Sequence, residues 1–188
     1  MSRLQLYVIG LLTLFLFPIP TLLWYLFYLK KSFLDFLCLP TFKFQPITIG
    51  LVFGIGYALM VIFLLSKPYF NEMPLKTTRL LKGTKIYWID ALFLSLCAGI
   101  GEEYLFRLGI QYYLGPIVTS IFFIALHGYF NLKNTTTFSY GLLLLPFILG
   151  IAYGLNFLGF WFCVSAHFAY NLVLFSDHIR KQSTPTNA

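Results

Sequence analysis

Apolar residues occur in long runs, separated by short polar segments, over most of this chain. A helix that crosses the hydrocarbon core of a bilayer needs about 20 predominantly apolar residues. Most of the runs are close to this length or longer, while the fourth is short for a full crossing. The pattern predicts an all-α, polytopic transmembrane helix bundle of about six spans. The predicted spans are residues 4–29, 47–65, 86–114, 117–129, 138–155 and 160–175.

Prolines and glycines inside these runs predict where the helices bend and where they pack closely. Proline removes a backbone donor, so we expect a bend at Pro18 and Pro20. The third run is longer than a bilayer requires, which predicts tilt or a break near one of its glycines. Small residues on one face let two helices approach closely. The break is expected near Gly99, Gly101 or Gly109. The small-residue faces are those of Gly50, Gly54 and Gly56 in the second run and of Gly150 and Gly154 in the fifth.

The two ends of the chain differ in character. The first apolar run is too long for the core of a signal peptide and lacks a small-residue cleavage site, so we expect a retained membrane anchor. Residues 176–188 are polar and are expected to form a loose tail. Little of the chain remains for a soluble module, so residues 1–188 are predicted to form a single integral membrane domain.

The composition agrees with a membrane protein and argues against other classes. Only 10% of the residues are charged, against roughly 25% in soluble domains, and the mean hydropathy is +0.81. Three dispersed cysteines, Cys38, Cys97 and Cys163, favour neither a disulfide framework nor a cysteine-type zinc site.

The net charge of +7 comes from lysines and arginines that lie mostly between the apolar runs. We interpret them as topology signals and contacts with lipid headgroups, not as a nucleic-acid surface. The polar segment 66–85 carries five basic residues and one acidic residue, which makes it the strongest cytoplasmic marker in the chain. With an even number of spans, both termini are predicted to be cytoplasmic in a multi-pass protein of the cell membrane.

Three charged residues, Glu102, Glu103 and Arg107, lie inside the third apolar run. A charge at the centre of a membrane helix costs about 2.5–3.5 kcal/mol on insertion scales, so their presence requires an explanation. In a helix, Glu103 and Arg107 are i,i+4 neighbours and can pair. Glu102 lies about 100° around the helix from Glu103 and is predicted to point into a cavity.

Further polar groups occur in two other apolar runs. Phe123 and His127 share one helix face, and His167 and Asn171 share another, because each pair has i,i+4 spacing. Taken singly, a membrane histidine is explained by a hydrogen bond between helices, and a Glu–Arg pair is explained as a structural staple. The presence of all these polar groups in three apolar runs of one chain favours a catalytic site. A carboxylate or an imidazole can deprotonate water, while the other imidazole and the amide can donate to a developing oxyanion.

Three segments match the motifs of a known family in order. Residues 102–107 (Glu-Glu-Tyr-Leu-Phe-Arg) match EExxxR, residues 123–127 (Phe-Ile-Ala-Leu-His) match FxxxH, and residues 167–171 (His-Phe-Ala-Tyr-Asn) match HxxxN. In this respect the chain resembles the CPBP family, also called Abi, of CAAX-protease and bacteriocin-processing intramembrane proteases. The resemblance covers residues 86–175, where we expect all the catalytic motifs.

The resemblance implies a helical membrane bundle that cleaves peptide bonds. It implies that Glu102 and His127 activate the attacking water and that His167 and Asn171 stabilise the oxyanion. Glu103, Arg107 and Phe123 are then supporting residues. We favour a reaction without a metal cofactor. The alternative is a zinc site formed by Glu102, His127 and His167 with water as the fourth ligand.

The leading hypothesis is therefore an intramembrane endopeptidase that acts on a membrane-associated protein or peptide, at a C-terminal tail or a leader. Its expected partners are this substrate and the lipid bilayer, with no nucleic acid. The alternative is a non-catalytic immunity or scaffold protein on the same fold. An ion or small-solute transporter is also compatible with intramembrane Glu and His, but the chain has few spans and no internal repeat.

Overall fold

The computed structural model describes residues 2–37, 42–70 and 84–183. Cys38 and most of the basic segment 66–85 lie outside these ranges. The described residues form helices and contain no strand, which confirms the predicted all-α bundle. The helices, labelled in chain order, are α1 (Arg3–Leu16), α2 (Pro18–Leu23), α3 (Phe33–Phe36), α4 (Phe44–Leu65), α5 (Trp88–Glu103), α6 (Gln111–Leu126), α7 (Thr135–Leu158) and α8 (Phe160–Ser183).

Four helical stretches in the described ranges are long and apolar enough to cross a membrane. They are Arg3–Tyr28, Phe44–Leu65, Trp88–Leu126 and Thr135–Leu158. α8 is more polar, since it carries His167, Asn171 and a charged C-terminal end, but most of its residues from Phe160 to Tyr170 are buried inside the protein. Together these helices make the chain a multi-pass membrane protein.

The centre of the bundle is α8, which packs against α4, α5 and α7. The closest approach is to α4. A Cβ atom added at Gly54 would clash with the carbonyl oxygen of Ala166, and one added at Gly50 would lie 2.5 Å from that of Phe162. The predicted small-residue face is thus confirmed for Gly50 and Gly54. It is wrong for Gly56, which faces open space.

Bends occur at several of the predicted positions. α1 ends at Leu16 and α2 begins at Pro18, as expected for a proline at the first turn of a helix. The third run changes at Tyr104–Ile110 to a π-helical segment that contains Gly109. The hydroxyl of Thr21 donates to the carbonyl of Tyr104 at 3.1 Å and supports this segment from α2. A second π-helical segment, Trp24–Tyr28, continues α2.

The chain reverses direction at Gly115, directly before Pro116. Gly115 has φ 70° and ψ 173°, a conformation that breaks the helical path inside α6. Twenty-five residues separate Glu102 from His127, and uninterrupted helix over that length would measure about 37 Å. Their side chains are instead 3.7 Å apart. The short fourth run is therefore a helical segment that returns part of the way into the bundle.

The expectation of a loose tail from residue 176 onward is wrong as far as Ser183. α8 continues to that residue, and Ile179 is buried in a cluster with Leu6 and Ile86. Gln182 accepts from the backbone N–H of Ile86 at 3.3 Å and donates to the carbonyl of Thr84 at 3.4 Å. The apolar packing of Ile179 and the two hydrogen bonds of Gln182 to the backbone hold this polar segment against the bundle.

α1 is attached to α5 at two levels. Near its start, Arg3 donates two hydrogen bonds to the buried carboxylate of Asp90, which also accepts from the hydroxyl of Tyr7. Further along, Gly101 lies against the backbone of Thr13. α1 is thereby held against the face of α5 that contains Glu102.

We predict opposite effects for alanine at two glycines of α4. Gly54→Ala inserts a methyl group against the α8 backbone and should destabilise the fold by about 1–3 kcal/mol. The matched change Gly56→Ala meets no atom within 4 Å and should be neutral or stabilise the helix by up to about 1 kcal/mol. Thermal unfolding in detergent micelles measures both, and equal losses of stability would contradict the packing described here.

Candidate active site

Three side chains from separate segments meet at one point in the bundle. Oε2 of Glu102, near the end of α5, lies 3.7 Å from Nε2 of His127 and 4.0 Å from Nε2 of His167. The Glu102 side chain is 15% exposed, and its Oε2 is buried with no hydrogen-bond partner among the described residues. A water molecule can lie within hydrogen-bonding distance, about 2.8 Å, of Oε2 of Glu102 and of the Nε2 atom of either histidine.

The position of His127 follows from the end of α6. It is the C-cap residue directly after the last residue of that helix, Leu126, and Gly128 with φ 70° turns the chain away. Its Nδ1 lies 2.8 Å from the carbonyl oxygen of Phe123. A carbonyl only accepts, so Nδ1 carries the proton and Nε2 presents a lone pair in the neutral ring. This lone pair is on the side of Glu102.

Phe123 contacts both histidines. Its ring stacks on the imidazole of His127, with centroids 4.2 Å apart and planes inclined by 24°. It meets the imidazole of His167 edge-on at 6.0 Å. Phe106 packs against the other side of the same ring at 4.8 Å. Phe123 therefore restricts the orientation of the two rings that approach Glu102.

His167 is held from the opposite side by a buried ion pair. Its Nδ1 lies 2.7 Å from Oε1 of Glu103, and Oε2 of Glu103 accepts from Nε of Arg107 at 2.9 Å. The side chains of Glu103 and Arg107 are fully buried. The i,i+4 pair expected from the sequence is present, and it has an additional contact, since Glu103 also fixes Nδ1–H of His167.

A glutamine that sequence reasoning missed extends this network. Nη1 of Arg107 donates to Oε1 of Gln111 at 3.0 Å, and Nε2 of Gln111 donates to the carbonyl of Ala152 in α7 at 2.8 Å. The i,i+4 spacing of Arg107 and Gln111 was the available signal. The sequence alone did not show that both side chains point inward.

Glu102, His127, His167 and Asn171 all line one cavity of about 270 Å³. Asn171 lies one helical turn after His167 on α8. Glu103 and Arg107 lie outside this cavity, behind His167. The cavity wall is largely apolar, and part of it comes from α1, through Leu6, Ile9, Gly10 and Thr13. The structure thus brings the four predicted residues to one concave, mainly apolar space.

Three tyrosines of the cavity wall were not predicted. The ring of Tyr129 lies nearly parallel to that of His127, at 6.1 Å and 7°. The hydroxyls of Tyr140 and Tyr170 are 3.1 Å apart. Tyrosine is so frequent in this chain that its sequence position gave no signal, and the contributions of α1 were equally invisible.

The same residues were tested as a metal site. In a tetrahedral zinc site each ligand atom lies about 2.0–2.2 Å from the ion, which places two ligand atoms roughly 3.3–3.6 Å apart. The distances from Glu102 to the two imidazoles are longer. Among the residues that the structure describes, no three His, Cys, Asp or Glu side chains form a group that could hold a metal ion. The donor types suit zinc, but their present spacing does not.

Residues 84–173 match a family model described as type II CAAX prenyl endopeptidase Rce1-like. This match confirms the resemblance to the CPBP and CAAX protease family that the three motifs indicated. At the level of the family, it indicates a CAAX-type intramembrane protease. No curated protein and no solved structure matches the chain significantly.

The two adjacent glutamates should differ in their effect on stability. In Glu103→Gln the new amide has one acceptor oxygen for two donors, Arg107 and His167. The change also leaves the buried guanidinium of Arg107 without a negative partner. We expect a loss of about 3–5 kcal/mol in the free energy of unfolding. Glu102→Gln should change it by less than about 1 kcal/mol, since its Oε2 has no hydrogen bond to lose. Equilibrium unfolding in micelles distinguishes these effects, and similar losses would refute the assignment.

Proposed function

Because residues 84–173 of this chain match the model of the Rce1-like family of type II CAAX prenyl endopeptidases, we propose that the protein is an intramembrane endopeptidase. It hydrolyses a peptide bond in a membrane-associated protein or peptide. One observation carries this proposal. A carboxylate oxygen of Glu102, without a hydrogen-bond partner in the part of the chain that the structure describes, faces the Nε2 atoms of two histidines within a cavity of the bundle.

In the proposed reaction, Glu102 and His127 activate the attacking water. Water bound near Oε2 of Glu102 donates one hydrogen bond to that oxygen and one to the lone pair of Nε2 on His127. As the water oxygen attacks the substrate carbonyl carbon, its proton moves to one of these two bases. The same group then delivers the proton to the leaving amine, so that a carboxyl and an amine are released.

His167 and Asn171 are proposed to stabilise the oxyanion. Nδ1–H of His167 already donates to Glu103, so Nε2 can donate to an oxyanion only from the imidazolium form. In that form the carboxylate of Glu103, 2.7 Å from Nδ1, lies next to the positive charge of the ring. The side-chain amide of Asn171, in the same cavity, supplies the second donor.

Glu103, Arg107 and Phe123 are proposed to support the reaction through the two histidines. Glu103 accepts from Nδ1–H of His167 and fixes the orientation of its ring, Arg107 neutralises Glu103, and Phe123 contacts both imidazole rings. Buried groups that fix the orientation of reacting side chains lower the reorganisation needed at the transition state.

The proposed substrate is a C-terminal tail or a leader peptide that reaches the site from the bilayer. The largely apolar cavity and its wall from α1 support a substrate with an apolar, membrane-associated segment. We place the protein in the cell membrane with both termini on the cytoplasmic side, on the strength of the basic residues between the apolar runs.

The central test is cleavage by purified protein in lipid nanodiscs, offered a pool of lipidated and membrane-anchored peptides. Glu102→Gln should reduce the rate by about 100-fold or more, as expected for loss of a general base, while the protein still inserts and folds. Asp177→Asn, which alters a carboxylate at the far end of α8, is the matched control and should cleave normally. Undiminished cleavage by Glu102→Gln would refute the mechanism. A variant that keeps its biological activity without cleaving would favour the scaffold function.

A second test concerns the cofactor. We propose that the water is activated without a metal, and the spacing of the Glu102 and histidine donors supports this. Extended treatment with a chelator should leave the cleavage rate unchanged within experimental error. A rate that falls with chelator and returns when zinc is added would overturn this proposal.

A further inference from the structure

Gln111 lies on α6, four residues after Arg107, with its side chain buried. It connects the carbonyl of Ala152 in α7 to the guanidinium of Arg107. Arg107 in turn binds Glu103, and Glu103 binds His167. A continuous series of four buried hydrogen bonds, each between 2.7 and 3.0 Å, therefore runs from the α7 backbone to an imidazole of the cavity.

Each hydrogen bond in this series has only one possible direction. Arginine has only donors, so the amide oxygen of Gln111 must face Arg107 and its amino group must face Ala152. Glu103 is an acceptor on both oxygens when ionised, so Nδ1 of His167 must donate. The amide of Gln111 cannot turn over without placing its N–H groups against those of Arg107.

Arg107 depends on Gln111 for its orientation. Two of its nitrogens have partners, Nε with Glu103 and Nη1 with Gln111. In the part of the chain that the structure describes, buried Nη2 has no hydrogen-bond partner. Without Gln111, a single bond at Nε would hold the guanidinium, and the group could turn about that bond. Glu103 would then lose a donor of fixed orientation, and His167, which is hydrogen-bonded to Glu103, would be held less firmly.

We propose that Gln111 is a positioning residue that acts through Arg107 and Glu103 to hold the Nδ1–H···Glu103 hydrogen bond and the orientation of His167. The kinetic consequence rests on the function proposed above, whereas the structural consequence for His167 does not. Gln111 does not line the cavity, so its effect is indirect. The competing explanation is that Gln111 only joins α6 to α7 and adds stability.

The kinetic test compares Gln111→Met with Gln182→Met. Methionine keeps the length of the side chain and removes both hydrogen bonds. Gln182 is the control, because it also accepts from a backbone N–H and donates to a backbone carbonyl. It is exposed, lies 2.7 Å from Nε2 of His178, and does not line the cavity. We expect Gln111→Met to lower kcat by about 10- to 100-fold with little change in KM, and Gln182→Met to leave both near wild type. Gln111→Asn, which stays polar but is too short for both contacts, should act similarly and serves if the methionine variant does not fold.

A double-mutant cycle separates positioning from simple stabilisation. If Gln111 acts through Arg107, its replacement should cost much less kcat in an Arg107→Lys background than in the wild type. The proposal would be overturned if the two substitutions lowered kcat by independent factors that multiply in the double mutant. It would also be overturned if Gln111→Met lowered thermal stability and left kcat unchanged, because Gln111 would then only support the fold.

A measurement without substrate keeps this inference independent of the proposed protease activity. In protein labelled with ¹⁵N-histidine, exchange of the Nδ1 proton of His167 with water should be about tenfold faster in Gln111→Met than in wild type or Gln182→Met. Unchanged exchange would refute the positioning role even if the enzyme is active. If the wild-type protein cleaves no peptide, the proposed function fails, and this exchange rate still decides the role of Gln111.

Discussion

A fully buried guanidinium, that of Arg107, is the constraint on which the site depends. A positive charge in a membrane bundle requires a negative partner, and Glu103 supplies it at 2.9 Å. Because a carboxylate has two oxygens, Glu103 can satisfy Arg107 with one and His167 with the other. The group that neutralises the buried charge is therefore also the group that orients a cavity histidine. The carboxylate of Glu103 therefore contributes both to the stability of the bundle and to the geometry of the site.

The adjacent residue, Glu102, has the opposite character. Neighbouring positions on a helix point about 100° apart, so the same turn that buries Glu103 directs Glu102 into the cavity. Its Oε2 has no hydrogen-bond partner within residues 2–37, 42–70 and 84–183, which is costly for a buried oxygen. Unsatisfied polar groups of this kind are retained where they are needed for binding or chemistry. Two identical residues thus acquire different roles from the direction of their side chains.

Two breaks in helical geometry assemble the site. The π-helical segment Tyr104–Ile110 follows directly after the glutamates, and such segments occur frequently at functional sites. The reversal at Gly115 returns His127 to within 3.7 Å of Glu102. A third contribution comes from α1, which lies outside the segment 84–173 that matches the family model and still forms part of the cavity wall. The site therefore requires more of the bundle than its motifs suggest.

The sequence by itself determined the helical membrane class, the positions of the apolar runs and the residue types of the site, because hydropathy and i,i+4 spacing are local properties. It also indicated the Glu103–Arg107 pair, whose partners are one turn apart. Tertiary structure alone decided that Gln111 joins this pair to α7, that Gly56 faces open space, and that α8 continues to Ser183. These outcomes depend on which face of each helix meets a neighbour. Contacts between residues distant in the sequence decide that, and no local pattern contains them.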